Sequence, residues 1–379
     1  MGMEEYRQHI NEIDEQIVKL YKERLAVADE IALYKKANGM QVRDAARERQ
    51  LMERIAEMAG EEDENAVRCL YSLMLELSRA RQNGVVSGPT ELAKRMDDAL
   101  ASTQPLFPEK AVVAVQGTDG AYSQQAAQKL FKYPSLMFFN SFDKVFSAVD
   151  KGLCRYGILP LENSTAGSVN QIYDAMFKYN FSIVRTARIQ VSHVLAAPHG
   201  VKLADVKEIY SHEQAIWQSN RFLGTLSGVK VVPCENTAIA AQRVKDSGRK
   251  DMAAICSMDC ADIHGLNVLA SNVCDNSNYT RFICISKKPE IYPGADKTSI
   301  MMVLPHRAGS LYKVLSRLNV MGINLNKLES RPLPDRNFEF MFYFDIEESI
   351  YSPSLKRLLC ELEQEAVEFR YLGSYSEVM

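Results

Sequence analysis

Residues 265–282 have the sequence GLNVLASNVCDNSNYTRF, and the rest of the chain is organised around this stretch. It begins with a short apolar strand at residues 268–270, continues as a polar series at residues 275–281, and ends on a second apolar strand that starts at Phe282. The guanidinium of Arg281 lies next to the hydroxyl of Thr280 in the sequence. At the mouth of a buried strand, such a pair is suited to hold a carboxylate and donate a hydrogen bond beside it. The pattern alone also fits an ordinary polar loop between two strands.

The composition limits the class of protein. The chain has 379 residues, enough for two or three domains of roughly 100–200 residues each. Its 46% hydrophobic and 25% charged residues are typical of a soluble globular protein. A net charge of −3 gives no reason to expect a nucleic acid or a membrane as partner. There is no apolar run of about 18 residues, and the charged N-terminus does not resemble a signal peptide. The eight cysteines form no C-x-x-C pair and the six histidines are not placed for zinc. We therefore expect reduced thiols, no metal site and a cytoplasmic location.

The first segment is predicted to be helical, because residues 4–83 contain no proline and carry apolar residues at three- and four-residue spacing. The members of this stripe are Ile10, Ile13, Ile17, Leu20, Leu25, Ala28 and Ile31. We expect helices over residues 4–36, 44–58 and 64–82. Asn38 and Gly39 form a stop signal after the first helix, and Asp44 is suited to cap the second.

Charged and polar residues recur on this helical frame. Arg24 and Lys35 are 11 residues apart and share a helix face, whereas Arg7, 17 residues before Arg24, lies about 100° away from that face. Two further pairs have the i, i+4 spacing of neighbours on one helix face, namely Asp44 with Glu48 and Ser78 with Gln82. Ordinary ion pairs on solvated helix faces also explain this pattern.

The stretch YRQHINEIDEQIVKLYKERLAVADEIALYKKANGMQVRDAARERQLMERI, residues 6–55, resembles the all-helical chorismate mutases. The resemblance implies a set of ligand-binding residues at Arg7, Arg24, Lys35, Asp44, Arg47, Glu48, Ser78 and Gln82. In that family the arginines hold carboxylates, the lysine and glutamine face the ether oxygen, and the glutamate takes the substrate hydroxyl. The reaction is a unimolecular rearrangement, so the site only restrains the substrate and stabilises developing charge. The resemblance also implies a homodimer or higher homo-oligomer, in which Arg7 reaches into the partner's site.

An α/β region follows a predicted linker at residues 85–109, which is rich in glycine and proline around a short helix at residues 91–100. The strand at residues 112–115 runs into the turn QGTDGAYS and then into a helix. Free backbone N–H groups at such a helix start form an anion site. A dinucleotide-binding site is not predicted, because the turn lacks the G-x-G-x-x-G pattern.

Three more polar turns follow apolar strands, at residues 160–164, 209–214 and 235–238. Helix capping is an alternative explanation for each, since Asn163 is a good N-cap and Ser211 with Gln214 satisfies a capping box. We do not assign His212 as a general base, because a lone histidine at a helix start is usually structural. Several polar strand ends in one α/β region favour a ligand cleft between two lobes.

Several of these turns resemble motifs of the prephenate dehydratases. They are Asn-x-Thr-Arg-Phe at residues 278–282, Gly-x-x-Gly-x-Tyr-Ser at 117–123, Pro-x-Glu-Asn-Ser at 160–164 and Gly-Ser-Val at 167–169. The resemblance implies a two-lobed α/β domain similar to periplasmic binding proteins. It assigns Thr280 to the leaving hydroxyl and Arg281 to a substrate carboxylate. Asn163, Ser211 and Gln218 are supporting hydrogen-bond donors by the same resemblance.

The C-terminal segment is predicted to follow the order βαββαβ, which is the ferredoxin-like α+β plan. We expect strands at residues 298–304, 324–329, 338–346 and 368–371, with helices at 309–319 and 354–365. The segment resembles an ACT domain, which implies an allosteric phenylalanine site at Gly309, Leu311, Glu329, Ser330 and Arg331. Ser310 and Tyr312 depart from the family motif, and the bulk of Tyr312 bears on effector affinity and choice.

The predicted organisation is therefore a multidomain chain, with an all-α chorismate mutase at residues 1–84, a linker at 85–109, a prephenate dehydratase domain at 110–288 and an ACT domain at 297–379. The resemblance implies a bifunctional enzyme of phenylalanine biosynthesis that uses no cofactor, acts on chorismate and prephenate, and is inhibited by phenylalanine. A sensor that binds an aromatic amino acid without activity is the alternative, and the intact residue sets argue against it. A mutase–dehydrogenase is excluded because no dinucleotide fingerprint is present.

Overall fold

The computed structural model of the chain describes residues 2–86, 90–333, 336 and 339–379. Its α-helices are α1 Met3–Ala37, α2 Ala45–Val86, α3 Glu91–Ser102, α4 Tyr122–Leu130, α5 Phe142–Asp150, α6 Asn170–Lys178, α7 Glu213–Gln218, α8 Asn220–Gly224, α9 Thr237–Ser247, α10 Met258–Ile263, α11 Ser310–Val320 and α12 Pro353–Glu365. Its strands are β1 Lys110–Gln116, β2 Tyr133–Phe139, β3 Tyr156–Asn163, β4 Gly167–Ser168, β5 Ser182–Val191, β6 Val194–Ala197, β7 Glu208–His212, β8 Lys230–Cys234, β9 Met252–Cys256, β10 Asn267–Ala270, β11 Asn278–Ser286, β12 Lys297–Val303, β13 Asn324–Pro332, β14 Phe340–Glu347, β15 Glu368–Tyr375 and β16 Glu377–Val378.

The chain divides into two compact units. One comprises Met1–Arg95 and Lys356–Glu365, and the other comprises Met96–Leu355 and Ala366–Met379. The short linker helix is confirmed as α3, which extends two residues beyond the prediction. Gly88 and Pro89 of the predicted linker lie outside the described residues.

The first unit is built on a long helix pair. Helix α1 agrees with the predicted helix 4–36 to within one residue at each end. Helix α2 covers both of the next two predicted helices and is interrupted at Gly60, whose φ of 72° lies in the left-handed region that glycine tolerates. Small side chains, Ala32 on α1 and Ala80 on α2, are buried, which lets the two helix backbones approach closely.

One side of α1 remains apolar and exposed in the single chain. Most of the predicted stripe lies on this exposed side, and its exposed members are Ile10, Ile13, Ile17, Leu20 and Ile31. The stripe was used only to predict a helix, and the buried residues of α1 are Ala28 and Ala32. A long helix with an uncovered apolar row is incomplete as a packed element.

The second unit contains two α/β lobes. The first lobe is formed by a sheet with the strand order β16-β5-β11-β3-β1-β2, in which β4 also pairs with β3. The second lobe has the order β10-β6-β9-β7-β8. The chain passes from the first lobe to the second between β5 and β6 and returns between β10 and β11. This double crossing leaves a cleft between the lobes, as predicted for a two-lobed α/β domain.

The C-terminal sheet, strands β12 to β15, has the order β13-β14-β12-β15, and all neighbouring strands are antiparallel. Together with α11 and α12 these strands confirm the predicted order βαββαβ, and residue 338 of the third predicted strand lies outside the described residues. The chain then returns to the first lobe, where β16 pairs with β5. At the same place Gly373, with a φ of 140°, packs so closely that a Cβ atom would lie 2.2 Å from the carbonyl oxygen of Ile183. Only glycine fits here.

Two candidate active sites

The first candidate site is a polar cluster on the helix pair. The guanidinium of Arg24 donates to the hydroxyl of Ser78 at 2.7 Å. The ammonium of Lys35 donates to Gln82 Oε1 at 3.2 Å and to the carbonyl oxygen of Val42. The structure thus brings together four of the residues that the chorismate mutase resemblance implies, and two of them, Ser78 and Gln82, are buried.

Glu48, another residue of the implied set, pairs with a residue that the sequence did not single out. Its carboxylate forms a 2.7 Å ion pair with Arg79, and both side chains are 20% exposed. The backbone N–H of Arg47 donates to Asp44 Oδ1 at 3.0 Å, which is the interaction of an N-cap residue. Asp44 and Arg47 are themselves exposed. In the sequence, the only indication that Arg79 lies near this site is its position next to Ser78.

Arg7 lies apart from the other predicted mutase residues. It is exposed near the start of α1, where its only described charged contact is with Glu4 at 3.6 Å. Helix rise alone places it about 25 Å along the axis from Arg24. A single chain therefore does not assemble the full predicted set.

The second candidate site is the cleft between the two lobes, a cavity of about 630 Å³. The first lobe contributes Asn163 and Thr280, which are 8% exposed and lie opposite each other on β3 and β11. The second lobe contributes Gln218 and the start of α9 at Asn236. Loop 117–121 of the first lobe reaches across to α10, where Ser257 donates to the carbonyl of Gly120 at 3.0 Å.

The hydrogen bonds of Asn163 define the orientation of the Thr280 hydroxyl. Asn163 Oδ1 accepts hydrogen bonds from the backbone N–H groups of Thr165 and Ala166, at 3.0 and 2.9 Å. This fixes the amide orientation, so its Nδ2 is the group that donates to Thr280 Oγ1 at 2.9 Å. Because the threonine oxygen already accepts, its own O–H is available to donate into the cleft.

Two buried amides in the cleft wall have a donor that finds no partner among the residues the structure describes. They are Gln218 Nε2 and Asn278 Nδ2, in side chains that are 7% and 2% exposed. A buried donor without a partner costs free energy, so each is suited to a ligand oxygen. Sequence analysis had placed Asn278 in a motif without giving it a role.

The cleft has an unusual charge distribution for an anion site. None of the described residues that line it is lysine or arginine. It does contain the first residues of α4, at Tyr122 and Ser123, and of α9, at Thr237. The first N–H groups of a helix lack intrahelical partners and carry partial positive charge. Helix starts and amides are therefore the groups available for a carboxylate.

Arg281 does not lie in the cleft, contrary to the expectation that it holds a substrate carboxylate there. Its side chain is 7% exposed and pairs with Asp345 and, at 2.8 Å, with Glu162. The reason is strand geometry. Successive side chains on β11 point to opposite faces, so Thr280 and Arg281 cannot share the cleft.

Both sequence interpretations of Ser211, as a donor in the cleft and as part of a capping box, are wrong. It is fully buried on β7, and its hydroxyl donates to the carbonyl oxygen of Ile255 at 2.7 Å, away from the cleft. The capping box fails as well, because β7 continues to His212, whose ring caps α7 by accepting from the N–H of Gln214. His212 thus has the structural role that sequence analysis favoured.

A second histidine, His193, lies in the cleft wall and was missed by sequence analysis. It is 2% exposed, and its Nδ1 is 3.0 Å from the hydroxyl of Tyr122. Burial lowers the pKa of His193 from 6.5 to about 4. The ring is therefore neutral near pH 7, and it provides a hydrogen-bonding group without charge.

The residues predicted for the effector are spread over the C-terminal sheet and α11. Glu329 on β13 accepts from the hydroxyl of Ser168, a cleft residue, at 2.6 Å. Arg331 pairs with Asp174 at 3.0 Å, and Ser330 is exposed. Gly309 caps the start of α11 with a φ of 81°, followed by Leu311 in the first turn. Tyr312 is 64% exposed, so its bulk is not packed into a pocket of this chain.

No helix in the described part of the chain combines the length and the apolar character needed to cross a membrane.

Comparisons with known proteins match the two segments in which these sites lie. The family model for chorismate mutase type II matches residues 6–83, and the model for prephenate dehydratase matches residues 113–290. An Arabidopsis thaliana protein named arogenate dehydratase/prephenate dehydratase 2, chloroplastic, is 34% identical over 82% of this chain and 86% of its own length. The bifunctional chorismate mutase/prephenate dehydratase of Escherichia coli is 28% identical over 97% of this chain and 95% of its own length.

A solved structure gives the same result for the fold. The prephenate dehydratase of Arthrobacter aurescens, in complex with L-Phe, superposes with a TM-score of 0.65 at 29% identity and covers 70% of this chain and 90% of its own. Both family models match, and a relative with both activities in its name aligns with nearly the whole chain. The chain therefore belongs to the family of bifunctional chorismate mutase/prephenate dehydratases.

Proposed function

We propose that the chain catalyses two successive steps of phenylalanine biosynthesis, rearranging chorismate to prephenate and then converting prephenate to phenylpyruvate. The observation that carries the second step is the oriented hydroxyl of Thr280 in the cleft. The first step is supported by the cluster of Arg24, Lys35, Ser78 and Gln82 on the helix pair.

At the helix cluster, Arg24 holds a carboxylate of chorismate, and Lys35 with Gln82 faces the ether oxygen. The ammonium and amide donors stabilise the negative charge that grows on this oxygen as the bond breaks. Glu48 accepts from the substrate hydroxyl while Arg79 holds the carboxylate in place. No covalent intermediate is needed, so positioning and electrostatic stabilisation supply the rate enhancement.

In the cleft, Thr280 donates its hydrogen bond to the ring hydroxyl of prephenate. The ring C–O bond and the bond to the ring carboxylate break together, which releases hydroxide and carbon dioxide and leaves the aromatic ring of phenylpyruvate. The hydroxide takes up a proton and leaves as water. Asn163 keeps the threonine oxygen occupied, so the threonine O–H remains directed at the leaving group.

The carboxylates of prephenate are held without a lysine or arginine side chain. We assign them to the starts of α4 and α9, assisted by the free amide donors of Gln218 and Asn278. This replaces the role that the sequence suggested for Arg281. Because none of the described lining residues is a fixed cation, the site also avoids over-stabilising the ring carboxylate, which must lose its charge as carbon dioxide departs.

The mutase site is shared between two copies of the chain. Its support is the exposed apolar row of α1, which a second copy would cover, and the distance of Arg7 from the other site residues. In a homodimer, Arg7 of one copy completes the cluster of the other.

The regulatory part of the proposal is that the C-terminal sheet belongs to an ACT domain. Phenylalanine binds there and inhibits the dehydratase. The solved dehydratase from Arthrobacter aurescens is named as a complex with L-Phe. In this chain Glu329 contacts Ser168 at the cleft edge. An effector that engages Glu329 would therefore alter a residue of the dehydratase site directly.

The test of the proposed function supplies purified chain with chorismate in buffer containing EDTA and no added cofactor. Prephenate should form first and phenylpyruvate second, and added phenylalanine should slow the second product. Unchanged chorismate together with unchanged prephenate, in a folded protein that binds phenylalanine, would instead identify a sensor without activity.

A further inference from the structure

Two cross-strand pairs occupy opposite faces of the sheet at the dehydratase cleft. Thr280 lies opposite Asn163, and the adjacent Arg281 lies opposite Glu162, on β11 and β3. The first pair lines the cleft, whereas Arg281 does not. Because side chains alternate along a strand, any shift of the charged pair also moves the catalytic pair.

The C-terminal sheet anchors both charged residues. Arg281 pairs with Asp345 on β14, which is fully buried and also accepts from the hydroxyls of Ser299 at 3.3 Å and Tyr375 at 3.2 Å. A charge buried this deeply is stable only with such partners, so Arg281 has little freedom to move.

Glu162 is held by β13, the strand next to β14 in the C-terminal sheet. One of its oxygens lies 2.8 Å from Arg281 Nε, and the other accepts from Lys327 Nζ on β13 at 2.6 Å. Lys327 also donates to Ser168, a cleft residue, at 2.8 Å. Arg281 and Glu162, on the sheet face opposite the catalytic pair, therefore contact each other and two strands of the C-terminal sheet.

Backbone pairing between β11 and β3 is irregular next to this position, although β11 keeps a regular ladder with β5 from Asn278 to Cys284. The ladder between β11 and β3 changes register between Arg281 and Phe282, so the regular pattern is interrupted immediately after Arg281. The charged contacts of Arg281 and Glu162 lie beside this irregularity and add a restraint on β3 where its ladder with β11 is interrupted.

We propose that Arg281 and Glu162 are positioning residues of the dehydratase reaction. Through Asp345 and Lys327, the C-terminal sheet sets the placement of Thr280 and Asn163 in the cleft. The proposal rests on the role given to Thr280 above. On this proposal the C-terminal sheet is a structural part of the dehydratase site, and this role is separate from effector binding.

The test replaces the buried pair by apolar residues of similar size in the double variant Arg281→Met/Asp345→Leu, which leaves no unpaired charge. Prephenate turnover and thermal unfolding are measured on the full chain. We expect a folded protein whose kcat falls by about 10- to 10²-fold, with a smaller change in KM and unaltered mutase activity. The exposed pair Lys132 and Glu109 provides the control, because Lys132→Met/Glu109→Leu removes an ion pair of the first lobe away from the cleft.

A second variant keeps the test decisive if the double variant does not fold. Glu162→Gln is nearly isosteric, and its side chain is 29% exposed, so the fold should tolerate it. Its kcat should also fall, with KM changed less. A kcat within about twofold of wild type in either folded variant would overturn the proposal. Thr280→Val, assayed in parallel, separates the two ideas: if it keeps full activity, the role of Thr280 itself is wrong.

Discussion

Asn163 Nδ2 lies 2.9 Å from Thr280 Oγ1, and two backbone N–H groups hold the opposite end of the same amide. The amide therefore acts as a donor toward the threonine, and the threonine O–H points elsewhere. This single relationship converts an ordinary strand hydroxyl into a directed donor. It also explains why an amide, and not a carboxylate, stands at position 163.

The first prediction changes that amide to a carboxylate. In Asn163→Asp the carboxylate only accepts, so the Thr280 hydroxyl turns to donate to it and is lost to the leaving hydroxide. We expect prephenate turnover to fall by about 10²-fold or more, with chorismate mutase activity unchanged. Steady-state kinetics with both substrates checks this. Near-normal dehydratase activity would show that the orientation of the hydroxyl is unimportant.

The second prediction concerns pH and His193. Its pKa in the folded chain is about 4 because of burial, against about 6.5 when unfolded. Between these values the unfolded chain binds a proton that the folded chain does not. Stability is therefore fully present above about pH 6.5 and is lost as pH falls toward 4, by about 3 kcal/mol for a shift of this size.

The measurement for His193 is urea unfolding of the wild type and of His193→Gln at pH 7 and pH 4.5. The acid-induced loss of unfolding free energy should be smaller in the variant by about 2 kcal/mol or more. Equal losses in both proteins would mean that His193 is protonated in the folded state.

The third prediction uses the close approach at Gly373. A methyl group there would overlap the carbonyl of Ile183, so Gly373→Ala should lower the free energy of unfolding by about 3 kcal/mol or more. The control is Gly294→Ala, at a φ of 84° with open space around the added methyl. It carries only the backbone strain of about 1–2 kcal/mol. Equal effects of the two variants in thermal unfolding would contradict the packing.

The fourth prediction tests the shared mutase site. Arg7→Ala and Lys35→Ala are each expected to be inactive with chorismate, and they are mixed under conditions that allow subunits to exchange. In a heterodimer, one site receives both lesions and the other receives neither, so mutase activity should partly return. If heterodimers form and no activity returns, Arg7 serves the site of its own chain.

Much of the fold was predictable because its signals are local. The apolar spacing and the Asn38–Gly39 stop fixed α1 to within one residue, and alternating strand and helix patterns predicted the βαββαβ segment. The uncovered face of α1 was not predictable, because an apolar stripe indicates burial without saying whether the partner is the same chain or another.

The site was predicted less well where a role depends on which face of a strand the side chain points to. The adjacency of Thr280 and Arg281 suggested one shared site, although strand alternation separates them. Ser211 was assigned to the cleft or to a helix cap, but β7 continues one residue further and buries it. The position of Asn278 in the cleft wall and the ion pair of Arg79 with Glu48 arise from the packing of distant segments, which the sequence alone does not report.

The fifth prediction tests the central claim, that the mutase site and the dehydratase site of this protein are independent of each other, by following chorismate over time with three proteins. Wild type should pass through prephenate to phenylpyruvate. Lys35→Ala should leave chorismate unchanged yet convert added prephenate, because its dehydratase cleft is intact. Thr280→Val should convert chorismate and stop at prephenate, with dehydratase turnover reduced by about 10²–10³-fold. Loss of both activities in either folded variant, or full conversion to phenylpyruvate by Thr280→Val, would contradict the account.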